Sequence, residues 1–440
     1  MQALVSLSIA ILAGLLLSRL AKLLKLPAVT AYLVAGILVG PYVLGAFGVE
    51  GLGFVSRSDV KSYELLSDVA LGFIAFSIGN EFRLSQLKKI GKQATVVGIF
   101  QAVFTTLVVD GVLIGLHFII PDKLPLDVAI VLGAIASATA PAATLMVVKQ
   151  YKAKGKLTDI LLPVVAIDDA VGLVLFAISF GVAKAVGSGE AISLLSVLVE
   201  PLLEVVLSLI LGTAMGFAFN FCERFFHSRS KRLSVSVTFV LLTVGLSMLK
   251  FEVFGIHVAF SSLLVCMMLG TVFCNVCDFS EELMDRVDRW TAPLLVLFFV
   301  ISGADLQLSV FSEITVLIIG IVYILSRSLG KYFGAGISSR MTGCDSSIVK
   351  YLGVTLLPQA GVALGMAMQA QRDLGENGIL ISNITLFAVL IYELVGPMLT
   401  KISLVRTGDI QLDGAISARE EARIKKSQLQ PTPRHHRHHS

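Results

Sequence analysis

Charged residues are scarce in this chain. Only 15% of its 440 residues are Asp, Glu, Lys or Arg, whereas soluble domains carry about 25%. The mean hydropathy is +0.86, and long apolar runs recur from end to end, as in ALVSLSIAILAGLLL at residues 3–17. A helix needs about 20 mostly apolar residues to cross a bilayer. The composition therefore argues against an ordinary soluble domain and predicts an all-α polytopic membrane protein.

Several signatures of chemistry are also missing. Cys274 and Cys277 form a CNVC pair, but no second pair and no histidine cluster accompanies it, which argues against a zinc site. The sequence contains no HExxH motif and no Ser–His–Asp constellation, and no GxGxxG motif follows the last apolar run. We therefore expect no enzyme, no cofactor, no nucleotide-sensing domain and no nucleic acid partner.

The apolar runs divide into about thirteen candidate transmembrane helices. The first lacks the basic leading region of a cleaved signal peptide, so we interpret it as a spanning helix. A membrane domain is thus expected over residues 1–405, followed by a polar tail over 406–440 that we expect to be disordered. Numbered 1 to 13, the predicted helices are 3–22, 27–47, 64–84, 93–119, 126–149, 157–184, 192–220, 233–250, 256–276, 289–306, 312–336, 348–370 and 378–403.

Basic residues are unevenly divided between the predicted loops. If the helices simply alternate, the loops on one side hold nineteen Lys and Arg residues and those on the other side hold six. Cytoplasmic loops of membrane proteins carry the excess of basic residues. The asymmetry predicts a multi-pass plasma-membrane protein with its N-terminus outside and its C-terminus in the cytoplasm.

A short repeat links two distant segments. FIAFSIGNEFRLSQL (73–87) closes predicted helix 3, and FFVISGADLQLSVF (298–311) closes predicted helix 10. The two helices are seven apart, and an odd offset means that the two copies face opposite ways across the membrane. We therefore predict two inverted six-helix repeats, helices 1–6 and 8–13, joined by helix 7, an arrangement common in secondary transporters.

Predicted helices 5 and 12 each contain a proline near mid-membrane. In helix 5, Pro141 follows Ser137 and Thr139, and in helix 12, Pro358 precedes Gln359. A proline removes a backbone donor and frees carbonyls that an ion or water can occupy. Taken alone, helix 5 fits a kinked packing helix whose hydroxyls bond their own carbonyls. Two proline-broken helices at corresponding positions of a repeat favour a transporter site lined by these residues.

Predicted helix 6 carries adjacent acids, Asp168 and Asp169, in the stretch VAIDDAVG. Intramembrane acids usually face a bundle interior or a wet cavity. Neighbouring residues lie about 100° apart on a helix, so one can face the cavity while the other faces a partner. Because a proton and a hard cation such as Na⁺ compete for the same carboxylate oxygens, the pair can couple their exchange.

Two basic residues and one further acid lie nearby in the predicted membrane region. Lys331 and Arg327 lie one turn apart in helix 11 and could snorkel to the interface, but Lys331 is the better placed to meet an aspartate of helix 6. Glu393 in helix 13 is expected to support helix 12 or pair with Lys401, with direct cation binding as the less favoured interpretation.

Together these motifs resemble the cation:proton antiporter-2 family of bacterial monovalent cation/proton antiporters over about residues 1–405. Four stretches carry the resemblance: LPAVTAYLVAGILVGP (26–41), FIAFSIGNEFRLSQLKK (73–89), ATAPAATLMVV (138–148) followed by AIDDAVG (166–172), and LGKYFGA (329–335).

The resemblance implies a 13-helix fold with two broken crossing helices, an elevator-like movement and a homodimer in the bacterial inner membrane. The expected division is an ion-translocating core of helices 3–6 and 10–13, a dimerisation bundle of helices 1–2 and 8–9, and helix 7 as linker. Asp169 matches the residue that binds the cation, Na⁺ or Li⁺, and Asp168 matches the partner of Lys331. Asp-Asp branches resemble electrogenic exchangers that move two protons per Na⁺ and serve pH homeostasis.

One departure keeps alternatives open. Many relatives carry an Arg-Gly-Glu-like stretch where this chain has Gln359, Ala360 and Gly361, which leaves selectivity between Na⁺, Li⁺ and K⁺ undecided. A K⁺/H⁺ antiporter or K⁺ efflux system is therefore an alternative. An organic-anion/sodium symporter of the bile-acid type is another, although its site would hold more Asn, Gln and Ser and no intramembrane lysine.

Overall fold

The computed structural model describes residues 2–23, 28–49, 52–80, 82–87, 91–140, 144, 147–148, 151–187, 200–249, 251–253, 256–306 and 314–410. Almost all regular structure in these ranges is α-helical, apart from one 3₁₀ turn and an antiparallel hairpin between Phe251–Val253 and Ile256–Val258. The all-α membrane architecture expected from composition is therefore confirmed.

Sixteen α-helices have both ends within the described residues, and we number them in order. They are α1 Gln2–Leu23, α2 Ala28–Val39, α3 Arg57–Lys61, α4 Glu64–Asn80, α5 Leu84–Leu87, α6 Lys92–His117, α7 Leu126–Ser137, α8 Lys156–Gly187, α9 Glu200–Glu223, α10 Arg229–Ser247, α11 Ser262–Val276, α12 Ser280–Ala304, α13 Ile314–Met341, α14 Ser346–Thr355, α15 Gly361–Asp373 and α16 Gly375–Arg406.

Seven helices in the described part are long and apolar enough to cross a membrane alone, namely α1, α6, α8, α9, α12, α13 and α16. Helices α2, α7 and α11 are apolar but shorter. Each of the thirteen predicted segments overlaps at least one described helix, and the number of complete spans stays a prediction.

Two predicted bounds differ from the structure for local reasons. Predicted helix 2 extended to residue 47, but α2 ends at Val39, because the following Gly40–Pro41 step disfavours helical geometry. Predicted helix 9 began at residue 256, but residues 256–258 form a strand and α11 begins only at Ser262. The β-branched residues of that stretch favour the hairpin.

The helices pack into two bundles. Helices α1, α2, α4, α9, α10, α11 and α12 contact one another and form the first bundle, and α6, α7, α8, α13, α14, α15 and α16 form the second bundle. Predicted helices 3 and 10, which the expected core included, are here α4 and α12 and pack in the first bundle. The division into an ion-translocating core and a dimerisation bundle stays a prediction. Gly36 of α2 and Gly303 of α12 have no room for a side chain, so their backbones approach closely and bury α12 there.

Polar contacts join helix ends at each end of the second bundle. Lys156 Nζ lies 2.5 Å from Asp345 Oδ2 at one end, and Lys184 Nζ lies 3.5 Å from Asp373 Oδ2 at the other. Each pair connects helix ends that simple alternation of the predicted helices puts on the same side of the membrane.

Candidate functional site

Predicted helix 5 is broken as its proline suggested. Helix α7 ends at Ser137, Ala138 is extended with φ −65° and ψ 143°, and residues 138–140 are not helical. Described residues 144, 147 and 148 are helical again. Pro141 itself lies outside the described residues.

Predicted helix 12 is broken around Pro358. Helix α14 ends at Thr355, α15 begins at Gly361, and residues 357–360 are extended or irregular. The backbone N–H of Ala140 donates a hydrogen bond of 2.8 Å to the carbonyl of Pro358. The two breaks therefore meet inside the second bundle, and we call residues 136–140 and 356–360 the crossover.

Asp168 lies beside the crossover, and both of its carboxylate oxygens accept hydrogen bonds. Its Oδ1 accepts a hydrogen bond of 2.5 Å from Gln101 Nε2. Its Oδ2 accepts from Lys331 Nζ at 2.7 Å and from the hydroxyl of Thr139. Asp168 is 0% exposed, so this carboxylate depends entirely on protein donors for stabilisation.

Asp169 has a different environment although it is the next residue. Its Oδ1 accepts one long hydrogen bond of 3.3 Å from the backbone N–H of Thr139. Its Oδ2 is buried and has no hydrogen-bond partner among the described residues. Buried carboxylate oxygens are normally paired, so Asp169 presents an available ligand atom inside the protein.

Lys331 is the cation that pairs with Asp168. Its ammonium donates to Asp168 Oδ2, to Thr139 Oγ1 at 2.9 Å and to the carbonyl of Ser137. These three acceptors match the three N–H donors of a lysine. The residue is 0% exposed, so Lys331 does not snorkel to the interface.

Arg327 lies one turn away on α13 and makes no ion pair among the described residues. Its guanidinium donates to the carbonyls of Ala136 at 2.9 Å, Ala138 at 2.7 Å and Leu357 at 2.7 Å. Its Cζ lies 4.5 Å from the ring centre of Tyr392. Arg327 therefore binds backbone on both sides of the crossover, and the pairing with Asp168 belongs to Lys331.

The helix ends explain why two cations are buried here. Helices α7 and α14 both end at the crossover, and the carboxyl end of a helix carries a partial negative charge. Because a break leaves several carbonyls without helical partners, Arg327 and Lys331 find backbone acceptors in addition to Asp168.

Two predicted lining residues take part mainly in holding the crossover together. The hydroxyl of Ser137 donates back to the carbonyl of Ala134 at 2.7 Å, so Ser137 meets Lys331 through its main chain. Gln359 Nε2 donates to the carbonyl of Ile135 at 3.0 Å and lies 3.1 Å from the hydroxyl of Tyr323. Gln359 thereby ties one broken helix to the other.

Sequence reasoning missed Gln101, which contacts Asp168 directly. The residue lies on α6 and is 0% exposed. Its only sequence signal is a lone amide inside the apolar run VVGIFQAVF, and such a residue can equally bond a neighbouring helix. Its partner became evident only from the packing of α6 against α8.

We expected that Glu393 supports helix 12 or pairs with Lys401, and the structure does not contain the ion pair between Glu393 and Lys401. Glu393 is 0% exposed, and neither carboxylate oxygen has a hydrogen-bond partner among the described residues. Lys401 instead lies with its Nζ 4.5 Å from the ring centre of Tyr151. Because an ionised carboxylate without a partner is very costly in an apolar interior, we infer that Glu393 carries a proton in this conformation.

The replacement Glu393→Gln is therefore expected to leave the melting temperature in detergent nearly unchanged, because glutamine has the shape of a neutral carboxylic acid. The contrasting variant Glu393→Lys, which introduces a charge, is expected to lower it by several degrees or to prevent folding. A large loss of stability with glutamine would show that the carboxylate is ionised and paired.

Comparison with known proteins agrees with this architecture. A family model described as sodium/hydrogen exchanger, transmembrane, matches residues 7–406. The Na⁺/H⁺ antiporter NhaS4 of Synechocystis sp. is 24% identical over 409 residues, which cover 90% of this chain and 95% of that protein.

Solved structures show the same fold. The structure at pH 8 of the sodium proton antiporter MjNhaP1 from Methanocaldococcus jannaschii matches with a TM-score of 0.70 at 19% identity, covering 92% of this chain and all of that one. A second structure of MjNhaP1, described as a 3D EM map, matches with a TM-score of 0.64 at 18% identity and covers 90% and 96% of the two chains.

The family match extends over almost the whole membrane domain, and the fold places a carboxylate pair, two buried cations and two broken helices together. This chain therefore belongs to the sodium/hydrogen exchanger family of multi-pass membrane transporters and is a monovalent cation:proton antiporter.

Proposed function

We propose that this antiporter exchanges Na⁺ or Li⁺ for protons and that Asp169 is the residue at which the two compete. The observation that carries the proposal is the asymmetry of the pair. Asp168 has three donors, whereas Asp169 Oδ2 has no partner in the described part of the chain. Hard cations prefer oxygen ligands, so a cation and a proton can occupy Asp169 only in turn.

Lys331 is proposed to make the exchange electrogenic. In the proton-loaded site, a protonated Asp169 is neutral and the charges of Lys331 and Asp168 cancel. If cation binding at Asp169 also releases the proton of Lys331, two protons leave for one cation. The loaded site then carries one more negative charge than before, and this difference is the charge moved in each cycle.

Alternating access is proposed to move the second bundle against the first. All groups of the candidate site lie on α6, α7, α8, α13 and the crossover, which belong to one bundle. An elevator-like displacement can therefore carry the site across the membrane without taking it apart. We further propose that the protein forms a homodimer in the bacterial inner membrane with its C-terminus in the cytoplasm.

Transport measured in proteoliposomes tests cation selectivity. With an acid-inside proton gradient and a choline background, external Na⁺ and Li⁺ are expected to collapse the gradient, whereas K⁺ is expected to act more weakly. Imposing a membrane potential is expected to change the Na⁺ rate, because net charge moves in each cycle. Equal activity with K⁺ would support the K⁺/H⁺ alternative, and a rate independent of potential would contradict electrogenicity.

A further inference from the structure

The chain that follows α16 folds back onto the start of α8. The carboxylate of Asp409 accepts hydrogen bonds from the backbone N–H of Thr158 at 2.7 Å and from its hydroxyl at 2.8 Å. The carbonyl of Asp409 accepts a further bond of 3.0 Å from the N–H of Lys154. Asp409 is 8% exposed, so this contact between residues 251 positions apart is buried.

Asp409 takes the place of an N-cap residue. The first N–H groups of a helix have no helical acceptor, and an N-cap side chain normally accepts from the third helical residue. Helix α8 begins at Lys156, so Thr158 is that third residue, and Gly155 before the helix has no side chain to offer. The negative charge of Asp409 also interacts favourably with the partial positive charge at the N-terminus of α8.

Gly155 makes room for this arrangement. A Cβ added at Gly155 would overlap the carboxylate of Asp409. The local sequence thus lacks its own cap at this position and leaves space for a carboxylate from the far end of the chain.

The next residue anchors the segment in the bundle. Ile410 is 4% exposed and belongs to an apolar cluster with Val147 and Val148 of the second half of broken helix 5 and with Leu161 of α8. Its N–H donates to the carbonyl of Leu404 in α16 at 3.1 Å. Residues 407–410 therefore connect α16 with both the broken helix and α8.

We propose that Asp409 is a positioning residue for ion exchange, one that fixes α8 along its axis and so keeps Asp168 and Asp169 in register with Thr139. Thr158 lies ten residues before Asp168 on the same helix, a distance of about 15 Å. Pro163 lies between the two positions and removes one backbone hydrogen bond, but the helix continues through it from Lys156 to Gly187. A continuous helix transmits an axial shift along its length, because its remaining backbone hydrogen bonds resist extension. Asp409 also lies beyond residues 7–406, which match the family model.

The proposal rests on the proposed role of the aspartates and is tested with two replacements of Asp409 in the full chain. Asp409→Ala removes the cap and is expected to raise the apparent KM for Na⁺ about fivefold and to shift the pH profile of exchange. Asp409→Asn is expected to remain within about twofold of the unchanged protein, since asparagine caps as well as aspartate. Thr407→Ala is the control, because in the described part of the chain that hydroxyl bonds to Leu404 at the end of α16 and not to α8.

The outcomes separate positioning from simple stabilisation. If Asp409→Ala lowers the yield of folded protein but leaves both KM and the pH profile unchanged, the proposal is wrong. If that variant does not fold, Thr158→Val removes one of the two bonds and Gly155→Ala displaces the carboxylate, and both are expected to raise KM. Unchanged KM in both would also overturn the proposal.

A different variant tests whether the proposed ion site itself is wrong. Asp169→Asn tests that site directly. An active Asp169→Asn variant would contradict the site assignment whatever happens at Asp409, whereas an inactive one combined with an unchanged Asp409→Ala variant would contradict positioning alone.

Discussion

Replacement of Asp169 by asparagine is expected to abolish cation-induced collapse of a proton gradient in proteoliposomes. An amide can neither ionise nor release a proton, so the group at which cation and proton compete is lost. Folding should survive, because Asp169 accepts only one long hydrogen bond, from Thr139, and its other oxygen has no partner in the described part of the chain. The measurement is the initial rate of exchange in protein that elutes as a single species.

Asp127→Asn provides the matched control for this change. Asp127 is also a buried acid of the second bundle, 5% exposed, but it accepts a hydrogen bond of 2.8 Å from Asn377 at the opposite end of α7 from the crossover. It should retain exchange close to the unchanged protein. Full activity of Asp169→Asn would remove Asp169 as the binding residue.

The largest effect on stability is expected from Lys331→Met. This change removes the cation that pairs with Asp168 at 2.7 Å where both side chains are 0% exposed. Breaking a buried pair by removing one partner costs about 3–5 kcal/mol, because the remaining charge is left uncompensated. We expect a sharp fall in melting temperature, measured in detergent, together with loss of exchange.

The double variant Lys331→Met with Asp168→Asn tests the origin of that loss. Because it removes both charges, it should recover about half or more of the stability lost in Lys331→Met, while exchange remains impaired. Lys156→Met is the control for losing a lysine partner, since its pair with Asp345 is exposed and such pairs contribute about 0–1 kcal/mol. A double variant as unstable as the single one would show that Lys331 acts mainly through the carbonyl of Ser137.

The sequence predicted the broken helices, and it favoured Lys331 over Arg327 as the basic residue that meets an aspartate of predicted helix 6. Pro358 ends a helix through local sterics, which depend on the residue alone. An acid and a lysine in neighbouring apolar helices have few other partners within a membrane. The choice of Asp168 over Asp169 as the partner of Lys331 came from the family resemblance and not from the residue pattern.

The remaining features depended on packing that residue patterns do not encode. Arg327 binds three backbone carbonyls, and a carbonyl is present at every position of the sequence, so none of them signals its partner. The cap that Asp409 gives to α8 joins positions 251 apart. Residue patterns also do not show that predicted helices 3 and 10 pack in the first bundle, because lipid-facing and protein-facing surfaces are similarly apolar in a membrane.

The crossover has a consequence for how such proteins diverge. The acceptors that hold Arg327, and one of those that hold Lys331, are peptide carbonyls of residues 136–138 and 357. A peptide carbonyl survives almost any substitution of its residue, provided that the break in the helix is retained. Many side chains of the crossover can therefore be substituted while the carbonyls that bind Arg327 and Lys331 stay in place. The fold of this chain matches that of MjNhaP1 with a TM-score of 0.70 at only 19% identity. This low identity is compatible with cation-binding acceptors that are largely main-chain groups.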